Sequence, residues 1–432
     1  MPLTVGLISL GCPKNLIDSE IMIGHMQKAG MTMTPEPELA DVMVVNTCAF
    51  IDQAKQEAID AILDVVRARE SGAYPENQKL IVAGCLSQRF QKELPALLPE
   101  VDAFIGPDQI TRLPEIITEV MDRTVQDRNF IQGKCKYVPD WDTPRYRLTP
   151  PHTAYIKIAE GCNHGCAYCI IPYARGPVRS LPLATAVAQT EQLRREGYRE
   201  LVLTGIEISS WGHDLKNGQS LIDLLEAVSA AAGDMRLRLG SLEPRTITED
   251  FCRRASKLPN LCPHFHLSLQ SGCDETLRRM NRKYDTARFY ESVTLLRQYF
   301  HRPAVTTDLI CGFPDETNRE FEQTMAFIEK CAFADMHIFP YSVRPGTKAA
   351  ELVQFSAAVK EERTRRAVAV ARTMHRAYLE GCVGQTYPVL YEQEKDGLYT
   401  GHAPNYCEVC VRAEDLHNKI IDTKIVGIDG DV

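Results

Sequence analysis

Three times in the first 85 residues an apolar run ends beside a cysteine and a helical pattern follows. The runs are VGLISL (5–10), VMVVN (42–46) and LIVAG (80–84), and the cysteines are Cys12, Cys48 and Cys85. DSEIMIGHMQKAG, IDQAKQEAIDAILDVVRARE and a segment from Ser87 read as the helices between them, and VDAFIG with a helix from about Asp108 makes a fourth unit. A strand that returns through a helix pairs in parallel with its predecessor, so residues 1–122 are expected to form a doubly wound parallel sheet. Parallel strands present their C-terminal ends at one edge. Three cysteines far apart in sequence are therefore expected to converge there.

The alternation restarts at Thr153. AYIKIAEG, LVLTGIE, MRLRLGSL, HFHLSLQ, AVTTDLICGFP and DMHIFPYS give six further strands, and a partial (βα)6 barrel is expected over 153–350. Residues 123–152, with Pro139, Pro144, Pro150 and Pro151, read as a linker. The stretch EERTRRAVAVARTMHRAYLEG, within 351–380, reads as a connecting helix closed by Gly381. Residues 381–432 alternate apolar and polar positions between turn signals and read as a small β-barrel. The fold class is α/β with an all-β C-terminal module.

Cys162, Cys166 and Cys169 form a C-x3-C-x2-C run directly after the first strand of the second region, on the face where β/α barrels do chemistry. Composition decides how to read them. No apolar run approaches a membrane span, and the N-terminal MPLTVGLISLGCPKN lacks a basic region before a continuous apolar run. The expectation is a cytoplasmic protein in which 15 cysteines stay reduced and several act as ligands. Three thiols in one short loop fit a [4Fe–4S] cube with one iron left open. The alternative is zinc with His164 as the fourth ligand, although a histidine two residues from Cys162 bites poorly in so tight a loop.

This run, with Tyr168 before its last cysteine, resembles the radical S-adenosylmethionine enzymes. The resemblance implies that the open iron binds S-adenosylmethionine and that one electron releases a hydrogen-abstracting 5′-deoxyadenosyl radical. It places Tyr168 against the adenine and Gly205 and Glu207 of TGIE at the methionine end; Gln270 of LQSG and Asp308 of TTDLICGFP end expected barrel strands and are candidates to face the pocket, with structural hydrogen bonding as the alternative. With the Cys12, Cys48 and Cys85 set, the chain resembles the methylthiotransferases over nearly its whole length. That implies two [4Fe–4S] clusters, one making the radical and one carrying the sulfur, both opening onto one pocket. It also implies a TRAM barrel at the C-terminus and an electron donor such as flavodoxin or ferredoxin.

The substrate signals divide. SLGCPKNLIDSE, VVNTCAFIDQAKQEAID and VAGCLSQRF resemble the branch that modifies an aspartate of a small-subunit ribosomal protein. CIIPYARGPVRS, HLSLQSG, TTDLICGFPDET, FPYSVRPGT and YTGHAPNYCEVCV resemble the branch acting on threonylcarbamoyladenosine beside the tRNA anticodon. The second set covers the radical region, so tRNA is the expected substrate and the ribosomal protein the alternative. Charge counts against a strong phosphate grip by the terminal module, since residues 381–432 hold four Lys/Arg against nine Asp/Glu, a net −5. Arg278, Arg279, Arg282 and Lys283, with Arg363, Arg365, Arg366, Arg372 and Arg376, are the candidate RNA contacts; as solvated helix faces they would have no such role. The chain ends at GIDGDV, which would leave the last strand of the barrel frayed. Cys407 and Cys410 read as packing residues and Cys135 as an exposed linker thiol. An iron–sulfur electron carrier or redox sensor, and an RNA-binding module with structural zinc, are the readings outside this enzyme class.

Overall fold

The computed structural model describes residues 2–49, 51–122, 127–136 and 145–430. The chain divides into two compact units. The first takes Met1–Leu148, Glu160–Asn163 and Ile170–Arg179, and the second takes Thr149–Ala159, His164–Cys169 and Ser180–Val432.

In the first unit, β1 (Thr4–Ser9), β2 (Thr32–Thr34), β3 (Val42–Thr47), β4 (Lys79–Gly84) and β5 (Ala103–Phe104) form a sheet of order β2-β1-β3-β4-β5. Every pairing in it is parallel. β3 is buried at all six positions, as an unbroken apolar run predicts for a strand covered on both faces. The helices Pro13–Lys28, Asp52–Glu70 and Leu113–Met121 accompany it. The helix expected from Ser87 begins at Cys85 and lasts five residues. Part of the proposed linker, 123–126 and 137–144, lies outside the described residues. The segment 127–136 is stitched to this unit: Phe104 N–H donates to Arg128 O (2.7 Å), and the Arg128 guanidinium caps the carbonyls of Pro95, Pro99 and Val101. Cys135 is not an exposed thiol. It is buried with its sulfur on Asp108 Oδ1 at 2.9 Å.

The second unit contains β6 (Thr153–Glu160, its last residue in the first unit), β8 (Glu200–Gly205), β9 (Arg236–Leu239), β10 (His264–Gln270), β11 (Ala304–Cys311) and β12 (Asp335–Pro340); β7 is the two-residue Arg179–Ser180. β6, β8 and β9 pair in parallel, as do β10, β11 and β12. Parallel bridges Leu237↔Leu261 and Leu242↔Leu267 join the two sets. Six parallel strands thus follow one another as expected for a radical barrel.

The helix Ala357–Cys382 runs through Gly381, which is therefore not its cap. The positive φ falls three residues later, at Gly384 (+85°). β13 (Thr386–Lys395), β14 (Leu398–His402), β15 (Glu408–Arg412) and β16 (Lys419–Lys424) form an antiparallel sheet of order β15-β14-β13-β16. The last strand is not frayed, since β16 pairs with β13 from Thr386↔Lys424 to Tyr391↔Lys419. Arg236 and Arg238, at the start of β9, donate to the carbonyls of Pro388, His402 and Pro404 at 3.0–3.2 Å. The terminal sheet is thereby anchored at the N-terminal end of the barrel strands, away from the end that carries Cys166 and Cys169.

Candidate active site

The register of the first sheet sets the positions of Cys12, Cys48 and Cys85. Ser9 pairs with Asn46, and Thr47 with Gly84, so the three cysteines follow within three residues of aligned strand ends. Two glycines allow the close approach. A Cβ on Gly11 would lie 2.5 Å from Cys48 Cβ and 3.1 Å from its sulfur. Gly84, at φ +98°, would bring a Cβ within 2.5 Å of Thr47 O. Asn15 Nδ2 donates to Leu10 O (2.7 Å), while Asn46 Nδ2 donates to Asn15 O (2.9 Å) and Ser19 Oγ (2.8 Å), pinning the ends of β1 and β3.

The electrostatics report the same convergence. Burial pushes the Cys85 thiol up to about 11; the Arg175 guanidinium opposes this, and the neighbouring Cys48 and Cys12 add to it. Cys12 is the N-cap residue of the 16-residue helix Pro13–Lys28. Among the described residues no three His, Cys, Asp or Glu side chains close on a single ion. A cube asks for something wider, because each thiolate binds its own iron corner. Three thiols at one sheet edge, backed by a buried cation, are a donor set that suits such a group.

Cys162, Cys166 and Cys169 lie in the loop between β6 and the helix Ile171–Arg175. Cys162 belongs to the first unit, its N–H donating to Gly176 O at 3.0 Å. Cys166 and Cys169 belong to the second and pack against a cluster of Tyr168, Met280, Ile310, Phe313 and Tyr341. The sulfur of Cys166 accepts a hydrogen bond from Arg282 Nη1 at 3.2 Å. The Arg282 side chain is 7% exposed, and it also meets Tyr284 Oη (2.9 Å) and Glu243 Oε1 (3.3 Å).

The other expected residues fall as follows. Tyr168 is 7% exposed and meets Phe313 edge-on at 6.3 Å, and its carbonyl accepts from Arg344 Nη1 at 3.0 Å. Gly205 lacks a side chain because a Cβ there would lie 2.7 Å from Ala159 O on β6. Burial raises the Glu207 carboxyl, but hydrogen bonds from His164 and Ser210 outweigh it and hold the pKa below the ordinary value. His164 Nε2 stands 3.5 Å from Glu207 Oε2, so the candidate zinc ligand already has a carboxylate partner. Gln270 ends β10 at a register shift with φ +68°, an unusual backbone for a residue with a side chain. Asp308 lies 3.2 Å from His266 Nε2, with the His337 ring 5.6 Å from that of His266. Burial raises its carboxyl, and the hydrogen bond and charge of His266 more than reverse that. Sequence reasoning missed Arg175 and the role of Arg282, and the one available signal was a lone arginine soon after a cysteine loop.

Residues 156–328 match the radical SAM superfamily, and residues 4–106 match an uncharacterized protein family, UPF0004. The chain is 59% identical over 363 residues to the ribosomal protein uS12 methylthiotransferase RimO of Akkermansia muciniphila, covering 81% of this chain and 80% of that one. It is 41% identical over 418 residues to the RimO of Opitutus terrae, covering 92% and 88%. Among solved structures, the radical S-adenosylmethionine methyltransferase TsrM from Kitasatospora setae, with cobalamin and a [4Fe–4S] cluster bound, aligns at a TM-score of 0.60 and 13% identity, covering 93% of this chain and 77% of that one. That likeness concerns the fold.

Proposed function

Because this chain belongs to the radical S-adenosylmethionine methylthiotransferase family, we propose that it methylthiolates an aspartate of the small-subunit ribosomal protein uS12. Enzymes of this family use S-adenosylmethionine and [4Fe–4S] clusters. The substrate reading reverses the tRNA expectation, in line with relatives that carry uS12 in their names over four fifths or more of this chain.

The observation that carries it is the state of the basic side chains first read as RNA contacts. The Arg282 side chain, 7% exposed, pairs with Glu243 (3.3 Å), and Arg363 is buried against Glu316 (2.7 Å). Arg278, Arg279, Arg365, Arg366 and Arg376 each stand 2.8–3.3 Å from a carboxylate of this chain. Exposed pairs of this kind are weak, but a carboxylate beside each arginine lowers the net positive charge that would attract a phosphate backbone. The terminal segment, at net −5, repels RNA and suits the cationic surface of a protein that itself packs on RNA. The tRNA-branch motifs also have structural work: Arg344 of YSVRPGT holds the Tyr168 carbonyl, and Thr347 Oγ1 donates to Arg344 O at 2.7 Å.

In this reading Cys12, Cys48 and Cys85 hold the auxiliary cluster and Cys162, Cys166 and Cys169 the radical-forming one. When bound, the clusters supply the electron that opens the sulfonium and the sulfur that is transferred. Glu207 offers a deprotonated carboxylate for the ammonium of S-adenosylmethionine, with His164 and Ser210 orienting it. Asp308 and His266 form a fixed polar pair between β10 and β11. Deleting the gene, then running mass spectrometry on uS12 and on tRNA nucleosides, tests the substrate. Loss of the methylthio group from the uS12 aspartate with tRNA unchanged is expected, and the reverse result overturns the proposal.

A further inference from the structure

Arg175 is an unusual residue to bury. It ends the helix Ile171–Arg175 at 1% exposure, inside the first unit. Its single Nε–H donates to Cys85 Sγ at 3.1 Å. Nη1 donates to Asp18 Oδ2 at 2.6 Å and stands 3.4 Å from Glu160 Oε2, and Nη2 donates to Asn15 Oδ1 at 3.4 Å. Asp18 and Glu160 are themselves buried, with side chains 3% and 1% exposed. A buried guanidinium is stable only when paired. Two buried carboxylates thus face the guanidinium whose Nε–H is directed at the sulfur of Cys85.

We infer that Arg175 is a positioning residue that sets the reduction potential of the iron–sulfur group on Cys12, Cys48 and Cys85, by directing one N–H and a positive charge at Cys85 against the opposing field of Asp18 and Glu160. The inference rests on the reading that these three cysteines hold the auxiliary cluster. Adding an electron makes a cluster more negative, so a donor and a cation at a ligand sulfur favour the reduced state and raise the potential, while nearby carboxylates lower it. The two kinds of residue therefore act with opposite sign. Loss of Arg175 shifts the cluster toward the oxidised form, and loss of the Asp18 charge shifts it toward the reduced form. Lysine cannot replace the arginine fully, because its ammonium lacks the planar fork that reaches sulfur and carboxylate together.

The test uses the full chain with Cys162→Ala, Cys166→Ala and Cys169→Ala, so that only the auxiliary group remains after reconstitution with iron and sulfide. Iron is counted, and the midpoint potential is read by electron paramagnetic resonance at a series of poised potentials. About four irons per chain are expected. Arg175→Gln should change the oxidised-to-reduced ratio at fixed potential by at least tenfold toward oxidised, which for one electron is about 59 mV. Arg175→Lys should move it the same way by less, and Asp18→Asn the opposite way. A background chain without iron removes the parent reading and this inference with it. Iron present, with ratios unchanged within twofold in Arg175→Lys and Asp18→Asn, overturns the inference alone. Should Arg175→Gln fail to retain iron, the opposite signs of the other two variants decide.

Discussion

Replacing Glu200 by glutamine tests the electrostatics that hold the terminal sheet to the barrel. Glu200 opens β8 and is buried between two arginines. Arg238 grips it through Nε and Nη2, both at 2.9 Å, and Arg236 Nη2 lies 2.7 Å away. Burial alone would raise its carboxyl, but Arg238 first and Arg236 second pull the pKa from 4.5 down to about 2. A gap of about 2.5 units at 1.36 kcal/mol each is about 3.4 kcal/mol. The folded state holds the anion more tightly than the unfolded chain does. That stability is therefore complete above pH 4.5 and drains away as pH falls toward 2; at pH 3.5 about 2 kcal/mol is left. Glu200→Gln removes it and leaves two buried cations unpaired, so a loss of about 3–5 kcal/mol is expected at neutral pH. Urea unfolding of the apo-protein, followed by circular dichroism at pH 7 and pH 3.5, measures both quantities. The gap between wild type and variant should narrow by about 1.4 kcal/mol at the lower pH. A loss below about 1 kcal/mol at pH 7, or a gap that does not change with pH, refutes the reasoning.

Two further outcomes are expected. Gly84→Ala places a Cβ 2.5 Å from Thr47 O and 2.6 Å from Asn46 Oδ1 at a left-handed φ of +98°, so the ends of β3 and β4 must separate. Reconstituted iron should fall from about eight to about four per chain while reductive cleavage of S-adenosylmethionine to 5′-deoxyadenosine persists; full iron content would contradict this. Glu207→Gln removes a charge-assisted acceptor and should weaken S-adenosylmethionine binding about tenfold or more by equilibrium dialysis, with iron content unchanged. Equal affinity would remove Glu207 from the cofactor site.

The parts legible in the sequence were those with a local period or a local spacing. Unbroken apolar runs marked β1, β3 and β4, and the rule that parallel strands share an edge brought Cys12, Cys48 and Cys85 together without a contact being known. β2 escaped because TMT is short and partly exposed at the sheet edge, with no alternation to detect. Gly381 misled because a glycine near a helix end is not always its cap: the helix runs one residue past it, and the left-handed φ falls at Gly384. Arg175 with Asp18, and Arg282 with Cys166, are partners 157 and 116 residues apart, and no window on the chain spans such pairs.

β9 states the general limit. RLRL alternates charged and apolar residues, a pattern that ordinarily means one wet face and one dry face. All four residues are buried instead. The period correctly separates the two faces: Leu237 and Leu239 take one, while Arg236 and Arg238 take the other, against Glu200 and the carbonyls of the terminal sheet. What the period cannot carry is the medium each face meets, because that depends on chain more than 150 residues away. The same reasoning applies to the arginines first read as RNA contacts. A row of arginines on a helix is cationic only until its carboxylate partners are placed, and the fold, not the local sequence, places Glu316, Glu320 and Glu322 beside Arg363, Arg279 and Arg366.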